Sequence, residues 1–345
     1  MYLTRHLAVP LRRAVQDGAP ALVQGPRRSG KTTLLRHEFP DHLYIDLNEA
    51  ADRAAARRDP EAFLVRLRRP AIIDEVHRAP ELVRYLTAAP PALPIVFASC
   101  LRLSVSIETL ELHPPTRAER LRRPAMPLEL LGRFVPAAPK AEHAATACPP
   151  WPRTREFLHR DVPLLISVED VDRLEHLIEL LERRSGELLH QQALARELGV
   201  AHRTVVRWLS VLDACFLTLR LEPYDAAFGR RLVRRPKLHV LGSNASFESE
   251  VVTEIYCNAR HAGLNPVLRY WRDSNGLEVP LIVENDPGLN LVPVAIAPVP
   301  NPATRARLQR WMELAGVNEG AIIGREPGLS EHRPGPLLRY ALAQL

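Results

Sequence analysis

Residues 21–33 read ALVQGPRRSGKTT, in which a short apolar segment leads into a glycine-rich turn and then into a helical stretch. The turn matches the pattern GxxxxGK[ST], and strand–turn–helix is the context in which that pattern holds phosphate. Its glycines let backbone N–H groups face phosphate oxygens, and the start of the helix favours an anion. We therefore predict that nucleotide phosphates lie against one loop: Gly25, Pro26, Arg27, Arg28, Ser29, Gly30, Lys31, Thr32 and Thr33.

A second segment, residues 71–75 (AIIDE), is an apolar strand that ends in two carboxylates. Strand ends are where open α/β sheets place their ligands. In the loop, Lys31 is predicted to reach the β and γ phosphates, and the Thr32 hydroxyl is predicted to ligate Mg²⁺. Asp74 is predicted to hold Mg²⁺ through its water shell, and Glu75 to act as general base on the attacking water.

The predicted ligand is ATP with Mg²⁺. The chain contains no Asn-Lys-x-Asp sequence of the kind that reads guanine, so adenine is favoured over guanine. Asp46 ends another short strand. The sequence favours neither of two roles for it, an acid in the outer coordination sphere of the ion or a capping or solvated carboxylate.

The first half of the chain alternates short apolar segments with helical stretches, and an amphipathic helix is expected within residues 1–18. This alternation is typical of a parallel sheet with right-handed crossovers, so the predicted fold class is α/β, a P-loop NTPase sheet with flanking helices. We predict strands at 21–23, 43–47, 71–73 and 94–98, with helices at 32–37, 60–68 and 80–88.

Residues 192–209 have the spacing of a helix-turn-helix. The small Ala195 lets two helices approach, Gly199 supplies the turn, and Val205 is expected to pack against the first helix. In a DNA reader, outward residues of the second helix enter the major groove, whereas a purely structural or interaction winged helix is the alternative. The candidate DNA contacts are His202, Arg203 and Arg207.

Proline usage divides the chain. Ten of the 32 prolines lie between Pro114 and Pro163, and proline blocks helix interiors, so residues 124–155 are predicted to be a linker. Later apolar runs predict a second α/β unit, with strands at 238–241, 267–271, 279–283, 291–296 and 321–323 and a helix at 304–315. The predicted domains are 1–123, the linker 124–155, a helical and winged-helix segment 156–236, and 237–345.

The composition matches a soluble globular protein of two or three domains, with 46% hydrophobic and 25% charged residues. No apolar run approaches the roughly 18 residues that span a bilayer, and the first residues lack the apolar core of a signal peptide. The net charge of +6 suits either a nucleic-acid partner or the arginine-rich usage of a GC-rich genome. We also predict that the protein is cytoplasmic and that its four cysteines are reduced: Cys100, Cys148, Cys215 and Cys257.

The chain resembles the prokaryotic AAA-like ATPases that carry a winged helix and a C-terminal restriction-endonuclease-like domain of unknown function. The most specific match is residues 72–82 (IIDEVHRAPEL), and the resemblance covers nearly the whole length. It implies Walker A and Walker B motifs and ATP binding and hydrolysis. The matching segments are 25–33, 44–47, 72–82, 160–161, 184–186, 192–209, 231–233, 236–238 and 270–272.

The chain departs from that family after the Walker B strand. The family's Thr-Gly-Ser sensor is replaced by residues 98–100 (ASC), so Ser99 is the one candidate sensor. The Gly-Arg pair that follows in the family is absent, and Arg102 is a candidate substitute for its arginine. Loss of an arginine finger is expected to leave nucleotide binding intact and to slow hydrolysis by about 10³–10⁵.

The C-terminal segment departs further. A nuclease of the expected fold needs an acid at a strand end and a Glu-x-Lys on the next strand to bind metal. Those positions hold Pro280 and residues 295–297 (AIA), so no nuclease activity is predicted. The remaining acids are expected to be solvated surface residues: Glu248, Glu278 and Glu284.

Three functional hypotheses follow from the sequence. The first is a slow Mg-dependent ATPase that acts as a nucleotide-driven switch. The second is a DNA-binding regulator in which ATP only gates assembly, and the third is a decayed remnant that binds nucleotide without useful turnover. Assembly into a homo-oligomer is compatible with each of them.

Overall fold

The computed structural model describes residues 2–16, 18–88, 93–120, 122, 162, 171–242, 246–284, 291–325 and 337–340. The chain divides into two compact units. The first comprises Met1–Ala125, Leu212–Phe216 and Cys257–Leu264, and the second comprises the remaining segments. The predicted linker at 124–155 and the motif at 160–161 lie outside the described residues.

The first unit is built on a parallel sheet of five strands in the order β2-β3-β4-β1-β5. This sheet, flanked by helices, confirms the α/β class. The order places β4 between the strand that precedes the glycine-rich loop and the strand that ends in the two carboxylates. The strands are β1 Ala21–Gln24, β2 Leu43–Asp46, β3 Ala71–Asp74, β4 Ile95–Ser99 and β5 Glu108–Glu111.

Within the described part of the chain, six helices accompany this sheet, and a 3₁₀ turn, Val76–Arg78, follows β3. The predicted helix at 60–68 is shorter than expected, and a helix just before it was not predicted. The helices are α1 Ala8–Gln16, α2 Lys31–Glu38, α3 Ala50–Arg58, α4 Pro60–Val65, α5 Glu81–Ala88 and α6 Arg117–Arg120.

Alternating side chains of the buried strands supply two separate cores, one on each face of the sheet. On β1, Ala21 and Val23 join the cluster that α1 and α2 cover, whereas Leu22 joins the cluster that α3, α4 and α5 cover. On β4, Val96 faces the first cluster and Phe97 the second. A strand that is buried on both faces reads as a continuous apolar run, which is why these strands were visible in the sequence.

The second unit has a sheet whose strands follow the order β13-β12-β11-β10-β9-β7-β8-β6. Its neighbours pair antiparallel except β7 with β9 and β11 with β12. The remaining elements are α7 Val171–Arg183, β6 Glu187–Leu188, α8 Gln191–Leu198, α9 His202–Ala214, β7 Thr218–Pro223, β8 Lys237–Val240, α10 Phe247–His261, β9 Val267–Arg272, β10 Glu278–Glu284, β11 Leu291–Ile296, α11 Pro302–Ala315, β12 Ala321–Arg325 and β13 Leu337–Tyr340.

The turn between α8 and α9 has the local geometry that the sequence predicted. Gly199 ends α8 with a φ of 64°, a left-handed conformation that glycine adopts without strain. Ala195 and Val205 are both buried. Within the described residues, no helix combines the length and the apolar character needed to cross a bilayer.

Candidate functional site

The glycine-rich loop leaves β1 at a position that accepts only glycine. Gly25 has a positive φ of 154°, and a Cβ at this position would lie 2.0 Å from the carbonyl oxygen of Leu112. Its N–H donates to the carbonyl of Ser99, 3.1 Å away, and so ties the loop to the end of β4. Gly30 begins α2 from a left-handed conformation with φ 94°. These two glycines give the backbone its close, curled path.

The loop offers groups that fit a phosphate chain. The first N–H groups of α2 have no acceptor within the helix and face the loop, as in other anion sites at helix N-termini. Ser29 is buried, and its Oγ has no hydrogen-bond partner among the described residues. Arg28 adopts φ 60°, a strained conformation for a non-glycine residue. The exposed Thr33 lies on the first turn of α2.

Lys31 lies under the loop, with only 6% of its surface exposed. Its ammonium donates to the carbonyl oxygens of Gly25 and Pro26, each 2.8 Å away. Burial lowers the pKa of Lys31, while the nearby acidic groups, Glu75 and Asp74 among them, act in the opposite direction. The ammonium is thus held at the loop by neutral acceptors that a bound phosphate would replace with a stronger, charged one.

Asp74 ends β3 beside the start of α2. Its Oδ2 accepts hydrogen bonds from Thr32 Oγ1 at 2.6 Å and from Tyr44 Oη at 2.9 Å. Burial, with the charge of Asp74, raises the pKa of Tyr44, so its hydroxyl stays protonated and donates. The Thr32 hydroxyl and the Asp74 carboxylate are the hard oxygen ligands that Mg²⁺ prefers, so these residues fit that ion.

Asp46 lies at the end of β2, level with Asp74 in the register of the sheet. Its Oδ1 accepts a hydrogen bond from the backbone N–H of Asn48 at 2.9 Å. That contact is the capping arrangement, one of the two alternatives that the sequence left open.

Glu75 follows Asp74 in a left-handed conformation with φ 57°. Its Oε1 lies 4.0 Å from Arg27 Nη1, and its Oε2 lies 3.2 Å from His77 Nδ1. Burial raises the pKa of Glu75, although the charges of Lys31 and Arg27 oppose that change. A carboxylate with a raised pKa is a stronger base in its ionised form, which suits the predicted role.

Ser99, the candidate sensor, is fully buried at the end of β4. Its hydroxyl donates to the carbonyl of Leu101 at 2.6 Å and accepts from the Leu101 N–H at 3.1 Å. The hydroxyl therefore shapes the turn after β4, and a role as sensor stays a prediction.

Arg102 is engaged elsewhere in the first unit. Its Nη1 lies 2.6 Å from Glu111 Oε1, and its guanidinium lies 4.4 Å from the ring centre of Phe216. Glu111 also pairs with Arg260 at 2.9 Å. Burial alone would raise the pKa of Glu111, but His113 and the two arginines hold that pKa well below its usual range.

The structure adds a residue that the sequence did not single out. Arg5 is buried, and its guanidinium donates to the carbonyl oxygens of Ser29 and His113, each at 2.6 Å. Its Nε lies 3.2 Å from Glu119 Oε1. A Cβ on Gly30 would lie 3.3 Å from Arg5 Nη1, so the arginine packs directly against the loop. No local pattern marks Arg5, because its partners are distant in sequence.

The three candidate DNA contacts lie on the exposed face of α9. His202, Arg203 and Arg207 are exposed, whereas Val205 and Trp208 on the opposite face are buried. The outward orientation that the helix-turn-helix spacing predicts is therefore present.

The C-terminal glutamates differ from expectation, because they are ion-paired and partly or fully buried. Lys237 Nζ lies 2.7 Å from Glu248 Oε1 and also contacts Glu278. Arg269 Nε lies 2.7 Å from Glu284 Oε1. The sequence could not show these ion pairs, because each cation lies on a different element from the carboxylate that it contacts. A buried carboxylate is stable only with such a partner.

Two protein families match parts of this chain. Residues 17–99 match a family described as an AAA domain, and residues 140–243 match a domain of unknown function, DUF8612. The uncharacterized proteins Mb2031c of Mycobacterium bovis and Rv2008c of Mycobacterium tuberculosis are similar over most of the chain. Each is 27% identical over 317 residues, which covers 81% of this chain and 71% of the relative.

The AAA match spans the glycine-rich loop, both carboxylates at the end of β3 and the end of β4. It supports an AAA-like ATPase family for this part of the chain and indicates a nucleotide-binding function of the ATPase type.

Proposed function

We propose that this protein binds Mg·ATP and hydrolyses it slowly, as a nucleotide-driven switch. The observation that carries the proposal is the contact between Thr32 and Asp74, whose oxygens lie 2.6 Å apart at the open end of the loop. Two oxygen ligands from a loop and a neighbouring strand end are the arrangement that holds Mg²⁺ beside a nucleotide's phosphates.

Each residue has a distinct part in the proposal. Thr32 and Asp74 hold the ion, which neutralises developing charge on the phosphates when bound. The Lys31 ammonium leaves the carbonyl oxygens of its own loop and pairs with phosphate oxygens. Glu75 accepts a proton from the attacking water at its carboxylate.

Slow turnover is proposed because Arg102 is committed to Glu111 and Phe216. An arginine that stabilises the transition state is worth about 10³–10⁵ in rate. Arg27 Nη1 lies 4.0 Å from Glu75 Oε1, and its positive charge opposes the rise in the pKa of Glu75 and so restrains its basicity.

Calorimetry with Mg·ATP and a phosphate-release assay test this proposal. Lys31→Ala should lose ATP binding, and Glu75→Gln should keep binding while turnover falls by about 10²–10⁴. The matched control is Glu81→Gln, the same change at an exposed position on α5. Equal ATP affinity of Lys31→Ala and the parent would refute the proposal, and turnover equal to that of Lys31→Ala would favour the decayed remnant.

A DNA-binding regulator is the second candidate function. The order of α7, β6, α8, α9, β7 and β8 supports a winged helix, and the exposed Arg203 and Arg207 on α9 are placed to meet a major groove. Duplex affinity should fall steeply with salt and fall again in the Arg203→Ala, Arg207→Ala double variant. Arg58→Ala with Arg66→Ala removes the same charge from exposed positions outside that helix and serves as control. Salt-independent binding, or equal losses in both double variants, would reject this candidate.

We also propose that residues 237–345 have no nuclease activity. The Lys237 ammonium contacts both Glu248 and Glu278, so two of the remaining carboxylates are neutralised by a cation of the chain itself. Pro280 and Ala295 offer no metal ligand in their side chains. A cytoplasmic location and assembly into a homo-oligomer stay predictions of the sequence.

A further inference from the structure

We propose that Glu75, His77 and Cys100 form a binding site for a borderline-soft divalent cation such as Zn²⁺, and that the bound cation withdraws Glu75 from catalysis. The regulatory half of this inference rests on the proposed function, because it takes Glu75 to be the general base. The binding half rests on the geometry of the three side chains alone.

The three ligand atoms already lie close to the separations of a zinc site. Glu75 Oε2 lies 3.2 Å from His77 Nδ1, and Cys100 Sγ lies 3.8 and 3.9 Å from the two ring nitrogens of His77. All three ligand atoms lie within 4.8 Å of one another. Tetrahedral zinc, with bonds of about 2.0–2.3 Å, requires ligand atoms about 3.3–3.6 Å apart. Zinc binding therefore requires the Cys100 sulfur to move closer to the other two ligand atoms by rotation of the side chains.

The backbone brings these residues together from two neighbouring strands. The left-handed conformation of Glu75, φ 57°, turns the chain into the 3₁₀ turn Val76–Arg78 and returns His77 beside Glu75. Cys100 follows β4, which pairs with β3. Backbone strain at a non-glycine residue persists where the surroundings impose it, and it concentrates at functional sites.

Glu75 presents a carboxylate oxygen from which solvent is excluded. Its Oε2 is buried and lies 3.2 Å from His77 Nδ1, and the Cys100 thiol hydrogen-bonds to the Glu75 carboxylate. Cys100 is buried, and only 2% of the His77 side chain is exposed. Burial of a carboxylate is costly, and a directly bound cation reduces that cost.

The ligand atoms of this site differ in chemistry from those of the proposed Mg²⁺ site. Thiolate and imidazole select zinc-like ions, whereas the oxygen pair of Thr32 and Asp74 suits Mg²⁺. Arg27 and Lys31 oppose a cation here, and the two negative charges of carboxylate and thiolate offset them.

Binding has two chemical consequences. The Cys100 thiol loses its proton to solvent as the metal–sulfur bond forms. Three protein ligands leave a fourth position of zinc open to water, as in other zinc sites with three protein ligands. Because Glu75 is then a ligand, its carboxylate no longer accepts the proton of an attacking water.

Cobalt reports on the site without nucleotide. Co²⁺ titrated into the reduced, metal-free full-length protein should give a thiolate-to-cobalt charge-transfer band that saturates at one equivalent and disappears on adding Zn²⁺. Cys100→Ser and His77→Ala should each lose the band. Cys215→Ser, which replaces a buried cysteine outside the cluster, is the matched control and should keep it. Absence of the band in the parent, or its survival in a folded Cys100→Ser variant, would overturn the inference.

Zinc inhibition separates this inference from the proposed function. Buffered Zn²⁺ should lower ATP turnover of the parent by about 10² or more, the scale of a lost general base, while Mg·ATP affinity is unchanged. Turnover of Cys100→Ser should not respond to Zn²⁺, and equal inhibition of both proteins would refute the regulatory half. A cobalt band in a protein that does not bind ATP would refute the proposed function alone, whereas ATP turnover with no cobalt band would refute the metal site alone.

Discussion

At the scale of single residues, Arg5 joins the glycine-rich loop to the end of the first unit's sheet. Its guanidinium holds the carbonyl oxygens of Ser29 and His113 and pairs with Glu119. Burial alone would raise the pKa of Glu119, but the contact with His261 and the charge of Arg5 hold that pKa well below its usual range. Arg5 therefore fixes the loop's backbone and compensates a buried carboxylate.

Replacing Arg5 tests its contacts with the loop backbone and with the buried Glu119. Arg5→Ala should destabilise the protein by about 3–5 kcal/mol, because it leaves Glu119 buried without its arginine. Arg5→Lys keeps the charge but lacks the planar, forked guanidinium that spans the carbonyl oxygens of Ser29 and His113, so it should recover only part of that loss. Chemical denaturation measures the change, with Arg13→Ala on the exposed face of α1 as control. If the free energy of unfolding falls by less than about 1 kcal/mol, the range of surface ion pairs, this interpretation of Arg5 is wrong.

Gly25 gives a second residue-scale prediction. Gly25→Ala should abolish ATP binding, because its Cβ would lie 2.0 Å from the Leu112 carbonyl oxygen and would displace the loop. Gly18→Ala is a matched control, since Gly18 also has a positive φ, 73°, but a Cβ there meets nothing within 4 Å. Calorimetric titration with Mg·ATP compares the two variants. Retained affinity in Gly25→Ala would show that the loop's path at this position is not needed.

At the scale of elements, a buried polar cluster ties β8 to α10 and to the turn after α7. Ser249 Oγ lies 2.9 Å from His239 Nδ1 and 2.8 Å from Ser185 Oγ. Ser185 Oγ also accepts from the Val240 N–H at 2.8 Å. Hydrogen bonds in a buried cluster are strong when every group is satisfied. This cluster therefore stabilises the fold only while His239 is neutral and keeps its hydrogen bond to Ser249.

The titration of His239 gives this cluster a pH dependence. Burial and the charge of Lys237 lower the pKa of His239 to about 3, against about 6.5 in an unfolded chain. Between these values the unfolded state binds a proton that the folded state does not, so the free energy of unfolding falls as pH falls from 6.5. The slope is up to about 1.4 kcal/mol per pH unit from this group.

Denaturation at several pH values between 4 and 7 measures that slope, a range set by the pKa values of histidine. His239→Asn, which keeps a hydrogen-bonding group near Nδ1 but does not titrate, should reduce it. His202→Asn on the exposed face of α9 is the control. An unchanged slope in a folded His239→Asn variant would show that other groups carry the acid sensitivity.

At the scale of the whole molecule, the two compact units predict where ATP acts. The residues proposed to act on ATP and Mg²⁺ lie in the first unit, Lys31, Thr32, Asp74 and Glu75 among them. A ligand stabilises the state that binds it, by about 2.7 kcal/mol at a hundred times its dissociation constant.

Hydrogen exchange measures that distribution. Mg·ATP should slow amide exchange by up to about 10² at residues 25–33 and at the end of β3, through the same linkage. The Lys31→Ala protein should show no such change. Equal slowing in β10 and β11 of the second unit would contradict a response confined to the first unit.

Local sequence predicted the elements whose side chains are buried on both faces or follow one period. Strands β1, β3 and β4 and helix α2 lie within about one residue of their predicted bounds. Helix α3 (AADRAAARR) was missed because it has no apolar stripe, and only Ala56 is buried. Strand β5 (ETLE) was missed because it is an edge strand with mixed polarity. The 15-residue helix α10 was also not predicted.

The glycine-rich loop between β1 and α2 and the paired carboxylates at the end of β3 could be predicted from the sequence, because a glycine pattern and an apolar strand with an acidic end act over a few neighbouring residues. The contacts of Arg5 with the loop and of Cys100 with Glu75 and His77 could be found only in the folded chain. Those contacts depend on the order of strands in the sheet, and packing between distant segments sets that order, which no local spacing encodes.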